Sequence, residues 1–141
     1  MVKGVKEYER LCRVKGVYMG IILMPYYKNK SLDKYISVDK IIIENLIKNY
    51  YTLYDKTGFI HGDFYPKNVI LDDDNNPLII DFENSYFNGT YIQFWRDLTD
   101  FFSTIKYHKD LNDIVRSHCM MNGAYNKKPS IELIIKLIDN L

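Results

Sequence analysis

Two short apolar runs, Val69-Ile70-Leu71 and Leu78-Ile79-Ile80, flank the polar stretch Asp72–Pro77. Branched apolar runs of this length, bounded by turn residues, predict the two buried strands of a hairpin. On either side of it the period is helical. Ile43, Leu46, Ile47, Tyr50 and Tyr54 recur at 3.6-residue spacing, with Ser37 placed to cap the helix, Asp39 in its first turn and Gly58 at its stop. This aromatic face reads as core packing. Over Tyr91–Tyr107 one stripe carries Ile92, Trp95, Leu98, Phe102 and Ile105, and Asp97 adjoins it. Leu111–Met121 predicts a further helix ending at Gly123, and a last one runs from a Ser130 cap to Leu141. Ser31–Ile36 predicts one or two helical turns capped by Ser31. Near the start, Glu7–Val14 and Val17–Met24 are separated by the turn signal Lys15-Gly16 and predict a second hairpin. The expected class is α+β, mainly helical, with a central hairpin and a short N-terminal one.

The bulk properties narrow the possibilities. A chain of 141 residues is one domain with a sizeable core. Its net charge of +1 gives no field for nucleic acid. No run approaches the ~18 apolar residues of a membrane span, and no apolar leader opens the sequence, so a cytoplasmic protein without a membrane partner is expected. Cys12 and Cys119 lie in no CxxC or Cys/His cluster and are expected as buried free thiols. His118 has no acid or second His at ligand spacing and reads as a packed helix residue.

The chemistry gathers around the central hairpin. If Leu71 faces Leu78, the register sets Asn68 beside Asp81 at one end of the strands. An amide oxygen converging with a carboxylate suits a hard cation such as Mg²⁺ that keeps most of its water. Asp63 precedes Asn68 by five residues, on a loop that must return to the same edge. The acidic turn admits a rival reading, because Asp72, Asp74, Asn76 and Glu83 stand at positions 1, 3, 5 and 12 of a calcium-binding loop. Pro77 occupies the position where that loop requires Gly, and no helix flanks it. The turn is therefore expected to be a solvated hairpin tip.

His61-Gly62-Asp63-x-x-x-x-Asn68 followed by Asp81-Phe82-Glu83 resembles the catalytic loop and metal-binding motif of the protein-kinase-like superfamily. The HGD spelling, Pro66 before Lys67-Asn68, and DFE resemble lipopolysaccharide-core, aminoglycoside and choline-type kinases. The resemblance implies a kinase-like C-lobe over residues 31–141, a hinge over 25–30, and N-lobe strand remnants over 1–24. It assigns Asp63 to orienting and deprotonating an acceptor hydroxyl, Asn68 and Asp81 to magnesium, and His61 to bracing the loop. Met24 would line the adenine pocket, and Pro25 and Tyr27 would offer backbone groups to adenine. Asp97 would accept hydrogen bonds from catalytic-loop backbone.

Three departures qualify the resemblance. Protein kinases usually carry a lysine two residues after the catalytic Asp; here Tyr65 stands there, and Lys67 is expected to face solvent. Only Asn84–Arg96 separates DFE from Asp97, too short for a peptide-docking activation segment. No glycine-rich loop occurs in the sequence, nor the strand Lys and helix Glu pair; Lys3, Lys6, Glu7 and Glu9 lie in the wrong context to replace them. The expected function is thus an ATP- and Mg²⁺-dependent phosphotransferase acting on a hydroxyl of a small or unusual acceptor, either as a minimal enzyme or as the catalytic lobe of a split one whose upper lobe a partner protein completes. The alternative is a non-catalytic lobe that docks on a kinase and regulates it.

Overall fold

A computed structural model describes residues 28, 30–105, 113, 117 and 127–139. The predicted N-terminal hairpin, most of the helix over 111–121, both cysteines, His118, and Met24, Pro25 and Tyr27 lie outside the described residues. What is described is mixed α+β. In chain order it comprises a 3-10 turn (Leu32–Lys34), helix α1 (Lys40–Thr57), a second 3-10 turn (Pro66–Asn68), strands β1 (Val69–Leu71) and β2 (Pro77–Ile79), helix α2 (Tyr91–Thr104) and helix α3 (Ile131–Asp139). Among the described residues no helix is long and apolar enough to cross a membrane.

Helix α1 buries the predicted face, Ile43, Leu46, Ile47, Tyr50 and Tyr54. Its cap is Asp39 rather than Ser37. The Asp39 carboxylate accepts the Ile41 N–H at 3.0 Å, satisfying a free donor at the positive end of the helix. Gly58 ends the helix at φ 66°, and a Cβ there would lie 2.8 Å from the Asn88 Cα. Helix α2 begins with a capping box between Thr90 and Gln93. Its buried residues are Phe94, Trp95, Asp97, Leu98, Phe101 and Phe102, and the helix stops at Thr104 with Ile105 buried in extended backbone beyond it. Ile92, expected on the core stripe, is 44% exposed, because Phe94 and Phe101 take the inner face in its place.

One aromatic stack joins these elements. The Tyr50 ring lies 4.3 Å from Phe64 and 5.3 Å from Phe94, Tyr54 stacks on Phe94 at 4.2 Å, and Phe64 stacks on Phe101 at 4.9 Å. Truncating such a ring to alanine costs about 3–5 kcal/mol. Phe64 sits in the middle of this stack, so the residue next to Asp63 is anchored in the core. Helix α3 closes over α1 through Ile134, Leu137 and Ile138, with Tyr51 donating to the Pro129 carbonyl at 3.0 Å.

The hairpin forms, in a register one step from the expected one. Leu71 faces Pro77, Ile70 faces Leu78 and Val69 faces Ile79. The turn is the cause. Asn75 N–H donates to the Asp72 carbonyl at 3.1 Å and Asn75 takes φ 63°, which makes a three-residue loop of 73–75 instead of an even one. The Asp72 carboxylate locks it, accepting from the N–H groups of Asp74 at 2.9 Å and Asn76 at 2.7 Å. Backbone bonds join Asp72 to Asn76 and Ile80 to Asn68, both 2.9 Å. Pro77 therefore falls at a non-bonded position of the ladder, where its missing N–H is not needed. Asn68 lies opposite Ile80, and Asp81 is the next residue out.

Candidate active site

The loop His61–Pro66 is held from beneath by side chains of α1 and α2. Asp97, 4% exposed, accepts through one oxygen, Oδ2, from the His61 N–H at 2.9 Å, the Gly62 N–H at 3.2 Å and the Tyr50 hydroxyl. Burial and the Asp97 charge push the Tyr50 hydroxyl pKa far up, so it stays a donor. Gly62 turns the loop at φ 77°, and a Cβ on it would meet the Asn84 carbonyl oxygen at 2.5 Å. The His61 ring is fully buried; its Nδ1 accepts the Asp63 N–H at 3.3 Å while Nε2 lies 2.9 Å from the Ile80 carbonyl. These partners set the tautomer, with the proton on Nε2. Both nitrogens are committed to the loop and to the strand leading into Asp81, which leaves neither for a reacting proton.

Above this floor the rim residues meet. The Asn68 amide donates to Asp63 twice, to its carbonyl and to its Oδ2, each at 2.8 Å. The Lys67 ammonium stands 3.0 Å from the same Oδ2. Asp63 Oδ1 is left without a hydrogen-bond partner among the described residues. The Lys67 contact first, and the Asn68 amide after it, hold the Asp63 carboxyl below its ordinary range against the opposing effect of burial. Lys67 is half in solvent, with 57% of its side chain exposed, and it is also engaged with Asp63, which the sequence reading did not foresee. Its position in the tight Pro66–Asn68 turn carries it back over Asp63, and the four-residue separation was the signal available.

Asp81 is exposed and adopts φ 63°, a conformation Asp tolerates better than most side chains. Its charge also acts on Lys67, raising the ammonium pKa after the larger effects of Asp63. Asp100, one turn beyond Asp97 on α2, was missed as well. Burial, followed by the Asp97 charge, raises its carboxyl pKa, and the nearby Tyr65 hydroxyl acts the other way. An open cavity of about 310 Å³ adjoins the rim, lined by Asp33, Tyr65, Pro66, Lys67 and Thr104.

Among the described residues no three His, Cys, Asp or Glu side chains cluster to hold a metal on their own. A magnesium ion asks for less, since it keeps several waters and takes one or two protein oxygens alongside phosphate. With its amide nitrogen turned to Asp63, the Asn68 side-chain oxygen has no hydrogen-bond partner among the described residues, and Asp81 supplies a carboxylate next to Ile80, which pairs with Asn68. The donor set fits. Met24, Pro25 and Tyr27 are outside the described residues, so the site comprises His61, Asp63, Lys67, Asn68, Asp81 and Asp97.

The model of the phosphotransferase enzyme family matches residues 27–101, more than half of the chain, covering this loop, the hairpin, helix α1 and helix α2 as far as Phe101. No curated protein matches the chain.

Proposed function

The chain belongs to the phosphotransferase enzyme family, within the protein-kinase-like superfamily, and on that premise we propose that it transfers the terminal phosphoryl group of magnesium-bound ATP to the hydroxyl of a small acceptor. The observation that carries this reading is the division of labour on Asp63. Oδ2 is pinned by Asn68 and Lys67, and Oδ1 is left to accept a hydrogen bond from outside.

A hydroxyl bound at Oδ1 is aligned for attack. As its oxygen bonds to the terminal phosphorus, the bond from phosphorus to the bridging oxygen breaks, and the electron pair leaves with the nucleoside diphosphate. The hydroxyl proton passes to Asp63 Oδ1. A carboxylate held below its ordinary pKa is a weak base, so Asp63 orients the hydroxyl first and takes the proton late. Magnesium, bound by the Asn68 amide oxygen and the Asp81 carboxylate, would neutralise charge on the phosphate oxygens. The cavity lined by Tyr65, Pro66 and Lys67, the last of these paired with Asp63, would hold a small acceptor. The backbone of Pro25 and Tyr27, with Met24 beside them, would receive the adenine.

The test is ADP release from ATP by the purified chain, with water and a panel of hydroxylated small molecules as acceptors. Magnesium-dependent release that collapses in Asp63→Asn is expected. Equal release by wild type and variant would remove Asp63 from the mechanism.

A further inference from the structure

The charged groups on the wall of the cavity beside the rim already have partners, and the rest of that wall is apolar. We propose that the acceptor this cavity takes is an uncharged alcohol built on a single ring. The inference rests on the phosphotransfer reading of Asp63 and names the acceptor class for the same site.

Two of the lining residues are bonded to Asp63. The Lys67 ammonium stands 3.0 Å from its Oδ2, and the Tyr65 N–H donates to its carbonyl at 3.0 Å. A molecule held against Tyr65, Pro66 and Lys67 is therefore next to the loop that carries the proposed base.

Charge on the acceptor gains nothing here. Asp33 Oδ1 accepts from the Ser31 hydroxyl at 2.5 Å, and Oδ2 stands 2.9 Å from the Lys34 ammonium. An acceptor ammonium at Asp33 would exchange one cation for another, and such exposed pairs are worth little either way. Lys67 is engaged by Asp63 in the same manner. It would also repel an ammonium in the cavity, as Asp33 would repel a carboxylate.

What remains is the buried Pro66 ring, the half-buried Tyr65 ring, the Thr104 methyl group and the methylenes of Lys67. An apolar wall with a few polar groups to fix orientation is the usual composition of a small-molecule site. Two flat, rigid faces favour a ring over an open chain, because a ring has less conformational freedom to lose on binding. The volume of about 310 Å³ lies at the low end of the roughly 300–1,000 Å³ of ligand cavities, which suits one ring and excludes several joined together.

Alcohols of nearly equal size supply the test. Benzyl alcohol and cyclohexylmethanol are neutral, para-aminomethyl benzyl alcohol is a cation, and para-hydroxymethyl benzoate is an anion. Saturation-transfer NMR on the full chain reads binding without turnover, and ADP release from Mg-ATP reads transfer. The neutral pair should bind, and its kcat/KM should exceed that of either charged analogue about tenfold or more. Tyr65→Ala should raise KM for benzyl alcohol about tenfold or more and leave KM for Mg-ATP within about twofold, with Tyr65→Phe close to wild type. A merely structural loss would instead lower kcat for every acceptor alike. Thr104→Glu, on an exposed helix end, sets a charge in the wall and should weaken the neutral pair, which keeps the test open if Tyr65→Ala does not fold. Equal or better use of a charged analogue, no binding of the neutral pair, or wild-type behaviour in these variants would overturn the acceptor class while leaving the phosphotransfer reading in place. Binding of the neutral pair with no ADP release toward any acceptor would overturn the phosphotransfer reading, and the acceptor role with it.

Discussion

Replacing Asp97 by alanine tests the foundation of the site. In the native chain one buried oxygen serves the His61 N–H, the Gly62 N–H and the Tyr50 hydroxyl. His61 keeps a second acceptor in the Tyr50 oxygen at 3.2 Å, so its loss is softened. Gly62 N–H and the Tyr50 hydroxyl lose the acceptor that the structure gives them. The buried Tyr50 hydroxyl left unsatisfied costs about 1–3 kcal/mol and the Gly62 N–H, on an exposed residue, about 1 more, so the variant should lose roughly 2–4 kcal/mol. For a domain of this size that corresponds to a fall in Tm of roughly 5–12 °C. Asp97→Asn retains a neutral acceptor and should cost about 1 kcal/mol, the difference between a charge-assisted and a neutral bond. Urea denaturation is the assay, with the exposed neighbour Arg96→Ala as a control expected within about 0.5 kcal/mol of wild type. A loss below about 0.5 kcal/mol in Asp97→Ala, at unchanged slope, would show that this oxygen does not support the loop.

Asp63→Asn should lower any transfer rate by about 10²–10⁴ while Mg-ATP affinity changes little, since Asp63 addresses the acceptor; steady-state rates alongside calorimetry decide it. Gly62→Ala should cost roughly 1–3 kcal/mol, because φ 77° is strained for a side chain and its Cβ meets the Asn84 carbonyl, and a thermal melt measures this. Asp100→Asn probes pH. The Asp100 carboxyl is raised in the fold by burial and by Asp97. Its ionised form therefore penalises the folded state above the folded pKa, and the penalty fades as pH falls toward the unfolded value. The variant should equal or exceed wild type in stability at neutral pH, with the gap closing in acid. A gap that widens in acid would reverse that sign.

Much of this was legible in the sequence because it rests on periodicity or on local rules. The α1 face was readable from five residues at helical spacing, and the hairpin from two branched runs about a polar turn. The register was not, since it depends on whether Asn75 accepts a left-handed conformation, a choice that composition leaves open. The cap passed from Ser37 to Asp39 because both are good capping residues and only the docked helix selects one. On α2, Ile92 was misplaced because hydrophobic residues occur all round the helix, so spacing alone could not select the inner face. At the site, Asp63, Asn68 and Asp81 stood out through their fixed spacing. Lys67 and Asp100 did not, because their partners are set by a tight turn in one case and by helix-to-loop packing in the other.

The shared acceptor at Asp97 also bears on motion. Loops commonly open and exchange their amide hydrogens on their own, at far less than the free energy of global unfolding. Here the amides of His61 and Gly62 are tied to an oxygen on α2 that also binds Tyr50 on α1. Freeing them breaks bonds to an oxygen that is buried between the loop and both helices. The His61 and Gly62 amides should then exchange more slowly than those of an untethered loop, and the exposed side chains of Lys67 and Asp81 are left as the parts of the rim free to move.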